Sequence, residues 1–140
     1  MKHINLIDKA FLLKTTHLFG NLDLDLLLII SDKMEMVSHK KGSYIFRKGH
    51  DATKMYLVTE GTIEILNFNG EQLALVNVGD FFGDESIFNE RPRAYDAKCK
   101  TDVTVLNLSR SHLLSIISEC PSVAIQLLEV YTRPINFRTR

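Results

Sequence analysis

The sequence predicts a mainly β domain with helices before and after it, an antiparallel sandwich or barrel. Three observations carry this. Apolar residues recur at helical spacing up to Met34, switch to short β-type runs from Glu35 to Leu108, and return to helical spacing from Ser109. Turn chemistry punctuates the middle zone about every 8–12 residues. The gaps between the runs leave no room for the crossover helices that a parallel sheet requires.

The zones are expected at 1–34, 35–108 and 109–140, all within one domain, which a chain of 140 residues fits. In the first zone, Phe11, Leu12 and Leu18 form one apolar stripe, and Leu24, Leu27, Leu28 and Met34 a second. Gly20 is the expected stop between them and Asp23 the expected N-cap of the second helix. In the second zone the β runs are Tyr44–Phe46, Met55–Val58, Thr62–Leu66, Gln72–Val76 and Val103–Leu106. Their boundaries carry glycine: Lys41-Gly42, Lys48-Gly49, Glu60-Gly61, Asn69-Gly70 and Gly79-Asp80. Asn69-Gly70 between two runs is the strongest hairpin signal. In the third zone Ser109 is placed to cap a helix bearing Leu113, Leu114, Ile116 and Ile117. Pro121 then fits the first turn of a helix bearing Val123, Leu127, Leu128 and Tyr131, which Pro134 ends.

Composition excludes several functions. Lys plus Arg equals Asp plus Glu at 17 each, so the basic excess of a nucleic-acid binder is missing. Arg133, Arg138 and Arg140 read as solvated tail charges. Cys99 and Cys120 lie too far apart for a metal knuckle or redox pair. The N-terminus has no signal-peptide core, and the longest apolar run, Leu26 to Ile30, cannot span a bilayer. A soluble, cytoplasmic chain is expected. A metal-dependent β-barrel enzyme needs converging ligands, yet His3, His17, His39, His50 and His112 include no His-x-His pair. No Gly-x-Ser-x-Gly or Walker-type loop is present, so no catalysis is expected.

One stretch, Gly79 to Ala94, reads neither as strand nor as ordinary turn. Gly83 lets backbone approach a ligand, and a short helix is expected at Ser86–Asn89. The amides at such a helix start favour an anion. Arg93 lies ten residues beyond Gly83, and its fork suits two phosphate oxygens. Spacing alone fits a phosphate site and an exposed, self-compensating loop equally well.

Phe82-Gly83-Asp84-Glu85-Ser86-Ile87 followed by Pro92-Arg93-Ala94 resembles the phosphate-binding cassette of the cyclic-nucleotide-binding family, Phe-Gly-Glu-x-Ala-Leu and then Pro-Arg-Ala/Ser/Thr. Lys41-Gly42 through Phe46, Gly49, Met55–Val58 and Glu60-Gly61 are similar to its preceding strands and glycines, and the resemblance runs over about residues 10 to 131. It implies a double-stranded β-helix (jelly-roll) barrel with N- and C-terminal helices and a cassette at 82–94. It implies a ligand, cAMP or possibly cGMP, in place of any cofactor. Arg93 takes the cyclic phosphate with the amides near Ser86 and Ala94, and Gly83 brings backbone to the ribose. Asp84 stands where the family has the ribose-binding glutamate, with Glu85 as its substitute. Ala94 lacks the hydroxyl associated with cGMP, so cAMP is favoured. The family reads out binding through the helices after the barrel, here Ser109 to Tyr131, acting on an effector domain or protein partner; a homodimer is also expected. Tyr95 and Asp96 replace residues that are usually small. With Asp84 they leave a second reading, the same fold retained as a protein-interaction or structural module without ligand.

Overall fold

The computed structural model describes residues 4–134. Arg138 and Arg140 lie outside them, while Arg133 pairs with Glu129 one helical turn before it at 2.8 Å. The described residues divide into two compact units, one of residues 34–111 and one of residues 4–33 with 112–134.

The second unit is helical: α1 (Leu6–Lys14), α2 (Leu24–Lys33), most of α4 (Arg110–Glu119) and α5 (Pro121–Thr132). The Asn5 side chain caps α1 by accepting from the Asp8 amide, and Asp23 caps α2 by accepting from the Leu26 amide at 3.0 Å, as the sequence indicates. Two expectations need correction. Helix α1 stops at Lys14, well before Gly20, because the Thr15 and Thr16 hydroxyls donate back to the Leu12 and Leu13 carbonyls. Its buried face is Ala10 and Leu13, whereas Phe11 is 59% exposed, about 100° round the helix from its neighbour. Similarly, α2 buries Leu27 and Ile30 but not Leu24, α4 buries Leu113 and Ile116 but not Leu114, and α5 buries Val123, Leu127 and Val130 in place of Leu128 and Tyr131. Pro121 opens α5 as expected. Among the described residues no single helix is long and apolar enough to cross a membrane.

The first unit holds eight strands in chain order: β1 (Glu35–His39), β2 (Tyr44–Phe46), β3 (Lys54–Glu60), β4 (Ile63–Leu66), β5 (Gln72–Val76), β6 (Phe81–Phe82), then the short helix α3 (Glu85–Asn89), β7 (Asp96–Cys99) and β8 (Val103–Ser109). Every pairing is antiparallel. They form two four-stranded sheets ordered β1-β8-β3-β6 and β2-β7-β4-β5, a jelly-roll-like arrangement. Among the described residues no strand pairing joins the two sheets, so the expected barrel is instead an open sandwich.

Alternation drives this assembly. Met55, Leu57 and Val58 on β3 and Val103, Val105 and Leu106 on β8 are buried, so both strands are central. Phe46, Val58, Ile63, Ile65, Val76, Phe82, Ala97, Cys99, Val103 and Val105 make the core between the sheets. The β4–β5 hairpin turns at Asn69-Gly70, where Gly70 has φ +79°. Asn67 clasps it by accepting from the Asn69 and Glu71 amides at 2.9 and 3.0 Å. Edge strand β5 buries only Val76.

Candidate functional site

The segment that the sequence marks out leaves the sandwich at β6, whose Phe82 pairs with Tyr56 of β3. Gly83 follows with φ +73°. Glycine is required there for space as well as conformation: a Cβ would stand 2.7 Å from Arg93 Nη1 and 3.3 Å from ring carbons of Phe46 and Tyr56. Asp84 occupies the N-cap position of α3 with no capping bond from its side chain, and exposed Glu85 opens the helix. Ser86 and Ile87 are buried, while Phe88 is largely exposed. Glu90 ends α3 in the left-handed region at φ 57°, and its carboxylate is paired with Arg110, the first residue of α4.

Arg93 returns the chain to the sandwich, and the turn after β2 fixes its backbone on both sides. Its N–H donates to the His50 carbonyl at 2.9 Å and its own carbonyl accepts from the Gly49 amide at 2.8 Å. The side chain is 3% exposed. Nη1 donates to the Gly83 carbonyl at 2.8 Å and Nη2 to the Lys54 carbonyl at 2.5 Å. The guanidinium stacks on Phe46 at 4.1 Å from the ring centre and lies 5.8 Å from that of Tyr56. None of the ion pairs among the described residues includes Arg93, and its Nε is buried with no hydrogen-bond partner. Two hydrogen bonds to carbonyls therefore solvate a buried charge that no carboxylate neutralises.

Ala94 is exposed beside it, and Tyr95 then turns inward. The Tyr95 hydroxyl accepts from the Gly83 amide at 3.1 Å, and its ring lies 5.4 Å from that of Phe46. Phe46, Tyr56 and Phe82 complete the cluster, with Tyr56 stacked on Phe82 at 5.0 Å. Burial raises the Tyr95 phenol above its ordinary value, and hydrogen bonding to the Glu85 carboxylate raises it further. Burial also raises Tyr56, against the opposing pull of the Arg93 charge.

The structure thus brings Gly83, Arg93 and Tyr95 into direct contact and places Asp84, Glu85 and Ser86 at the start of α3. Arg93 rests on carbonyls, whereas the sequence pattern faced it toward amides of that helix start. Leu73 and Leu75 are both exposed on β5. Sequence reasoning missed the platform beneath the arginine. Phe46 and Tyr56 read there as core strand residues, and only two-residue alternation from Phe46 indicates an inward ring. Among the described residues no group of three or more His, Cys, Asp or Glu stands close enough to hold a metal ion.

Comparison with known proteins shows the family. The model of the cyclic nucleotide-binding domain family matches residues 36–120, and the chain belongs to that family. It is 25% identical over 123 residues to a CRP-like cAMP-activated global transcriptional regulator of Mycobacterium tuberculosis, covering 85% of this chain and 55% of that protein. It is 26% identical over 106 residues to a cAMP-dependent protein kinase regulatory subunit of Emericella nidulans, covering 75% of this chain and 26% of that protein. The chain therefore spans about half of the first and a quarter of the second. Among solved structures, the N-terminal domain of a transcriptional regulator from Streptomyces coelicolor superposes with a TM-score of 0.81 at 26% identity, covering 91% of this chain and 94% of that one.

Proposed function

We propose that the chain is the ligand-binding module of a regulatory protein, taking a 3′,5′-cyclic nucleotide with cAMP preferred to cGMP. One observation carries the reading: Arg93 is a buried cation without a paired acid, and its Nε has no partner. Burying an unneutralised charge is costly, and a bound anion offsets that cost. In this reading Arg93 grips the cyclic phosphate, helped by backbone at Ser86 and Ala94. Gly83 and Asp84 meet the ribose, with Glu85 as the alternative acceptor. The Glu90–Arg110 pair ties the end of α3 to the start of α4, so a shift of the cassette pulls on Ser109–Tyr131. That supports readout through the C-terminal helices to an effector domain or protein partner, in a homodimer or otherwise. The proposed site contains no nucleophile with an adjacent base, so binding without turnover is the expected activity.

Titration calorimetry with cAMP and cGMP tests this. Charge-assisted hydrogen bonds contribute about 1.5–3 kcal/mol, so Arg93→Ala should weaken cAMP binding roughly tenfold or more. Arg93→Lys should retain part of the affinity, and thermal melts of each variant exclude unfolding as the cause. Equal affinity of Arg93→Ala and the parent would refute the phosphate assignment.

A specific observation favours a second reading, an interaction module without ligand. The Gly83 amide is already taken by Tyr95, and both terminal nitrogens of Arg93 are taken by backbone carbonyls. Absence of binding to either nucleotide would favour it.

A further inference from the structure

We propose that Tyr95 is a built-in competitor for the sugar-binding part of this site, its hydroxyl holding the Gly83 amide until a ligand hydroxyl displaces it. The inference rests on the cyclic-nucleotide reading. The geometry is a short circuit across the cassette. Gly83 N–H donates to Tyr95 Oη at 3.1 Å, while the Gly83 carbonyl accepts from Arg93 Nη1 at 2.8 Å. Both polar groups of one residue are thus satisfied from within, by side chains two positions apart. A phenol can donate its own proton while it accepts from Gly83, and the nearby Glu85 carboxylate helps to hold that proton on. A sugar hydroxyl has the same dual capacity and would need the same Gly83 amide. The Tyr95 ring is held against Phe46 and forms part of the sandwich margin, so the hydroxyl is prepositioned. Prepositioning makes an intramolecular bond a strong rival to an incoming one.

The competitor therefore acts on the sugar and leaves the phosphate contact alone. Ligands that reach Gly83 through a 2′-hydroxyl have to displace Tyr95, whereas a ligand lacking that hydroxyl has nothing to exchange for it. The parent should therefore discriminate poorly between cAMP and 2′-deoxy-cAMP.

The test is calorimetry of the parent and of Tyr95→Phe with both nucleotides, alongside amide hydrogen exchange of the unliganded proteins. Removing one neutral competing hydrogen bond should tighten cAMP roughly three- to tenfold in Tyr95→Phe and leave 2′-deoxy-cAMP nearly unchanged. Tyr95→Leu, which lacks both hydroxyl and ring, should shift in the same direction and serves if the Phe variant melts too low. An equal gain for both nucleotides would show a ring that merely fills space, and no gain for cAMP would show no competition; either overturns the proposal. If no protein binds either nucleotide, the exchange data separate the two claims. Faster Gly83 exchange in Tyr95→Phe supports the hold on that amide while the cyclic-nucleotide reading fails, and unchanged exchange overturns both.

Discussion

Two arginines of the β unit lie on aromatic rings in nearly the same way and end in opposite electrostatic states. At the rim, Arg47 stacks on Tyr44 at 4.0 Å, with a side chain 52% exposed, and its Nε meets Asp96 at 3.4 Å. At the cassette, Arg93 stacks on Phe46 at 4.1 Å, almost wholly buried, and forms no ion pair among the described residues. The two places are wired together. Asp96 also accepts from the Lys48 amide at 2.7 Å, and the next two residues of that turn, Gly49 and His50, pair with the Arg93 backbone. A guanidinium on a ring is therefore a finished brace at the rim and an unneutralised cation at the cassette. The acid between the two serves the brace and not the buried charge.

Gly83→Ala should break the cassette side most severely. The residue sits at φ +73°, and its new methyl would press on Arg93 Nη1 and on the Phe46 and Tyr56 rings. Left-handed backbone with a side chain and a crowded core together should cost about 2–4 kcal/mol. Denaturant melts measure this, and cAMP binding should fall in the same variant. A loss below ~0.5 kcal/mol would mean that Gly83 and Arg93 are not held together in solution.

Asp96→Asn is the intermediate case and separates brace from site. It keeps the shape but weakens the acceptor for Lys48 and ends the ion pair, for about 1 kcal/mol. Because the braced turn holds the Arg93 backbone, nucleotide affinity should drop several-fold. Arg47→Ala removes only a half-exposed partner and should leave affinity within about twofold, with a stability change of about 0–1 kcal/mol. If Arg47→Ala weakens binding as much as Arg93→Ala, rim and cassette are one site and the contrast between them fails.

The amino-acid sequence carried the cassette and most of the strands, and the reasons for the failures are local. Gly70, Gly79 and Gly83 all have the positive φ that turn chemistry requires, so the boundaries were legible. Strand β7, Asp96-Ala97-Lys98-Cys99, was not legible, because it lacks β-branched and aromatic residues and is held by its neighbours β2 and β4. Strand β6 has only two residues, too few for any period. The rotation of helix α1 is not legible because Phe11 outweighs Ala10 in hydrophobicity, yet Ala10 is the buried one. At the site, spacing alone leaves Arg93 undecided between a phosphate site and an exposed loop, the resemblance singles it out, and Tyr95 stands out only as bulky. That the Tyr95 hydroxyl lies on the Gly83 amide depends on a contact twelve residues apart, which no local pattern encodes.

The alkaline response of Tyr95 sharpens the cassette side by its protons. Its phenol is partly buried in the aromatic cluster near the Glu85 carboxylate, so the folded chain holds the proton to higher pH than the unfolded chain does. Below the ordinary tyrosine value of about 10 both states are protonated, and the contribution of the group to stability is complete and flat. Above that value the unfolded chain releases a proton that the folded chain keeps. Stability then falls as pH rises, by at most about 1.4 kcal/mol per pH unit, until folded Tyr95 itself ionises. Tyr56 and Cys99 are raised by burial too and slope the same way, so the measurement has to be a difference between parent and Tyr95→Phe. At neutral pH the variant should be less stable by about 0.5–1.5 kcal/mol, the net value of one hydrogen bond. Because it lacks the titrating phenol, its stability should fall less steeply between pH 10 and 11, and the gap between the two proteins should close. Urea midpoints at half-unit steps from pH 8 to 11 resolve this; a gap that stays constant would mean that Tyr95 is solvated, and its hydroxyl would then be no occupant of the Gly83 amide.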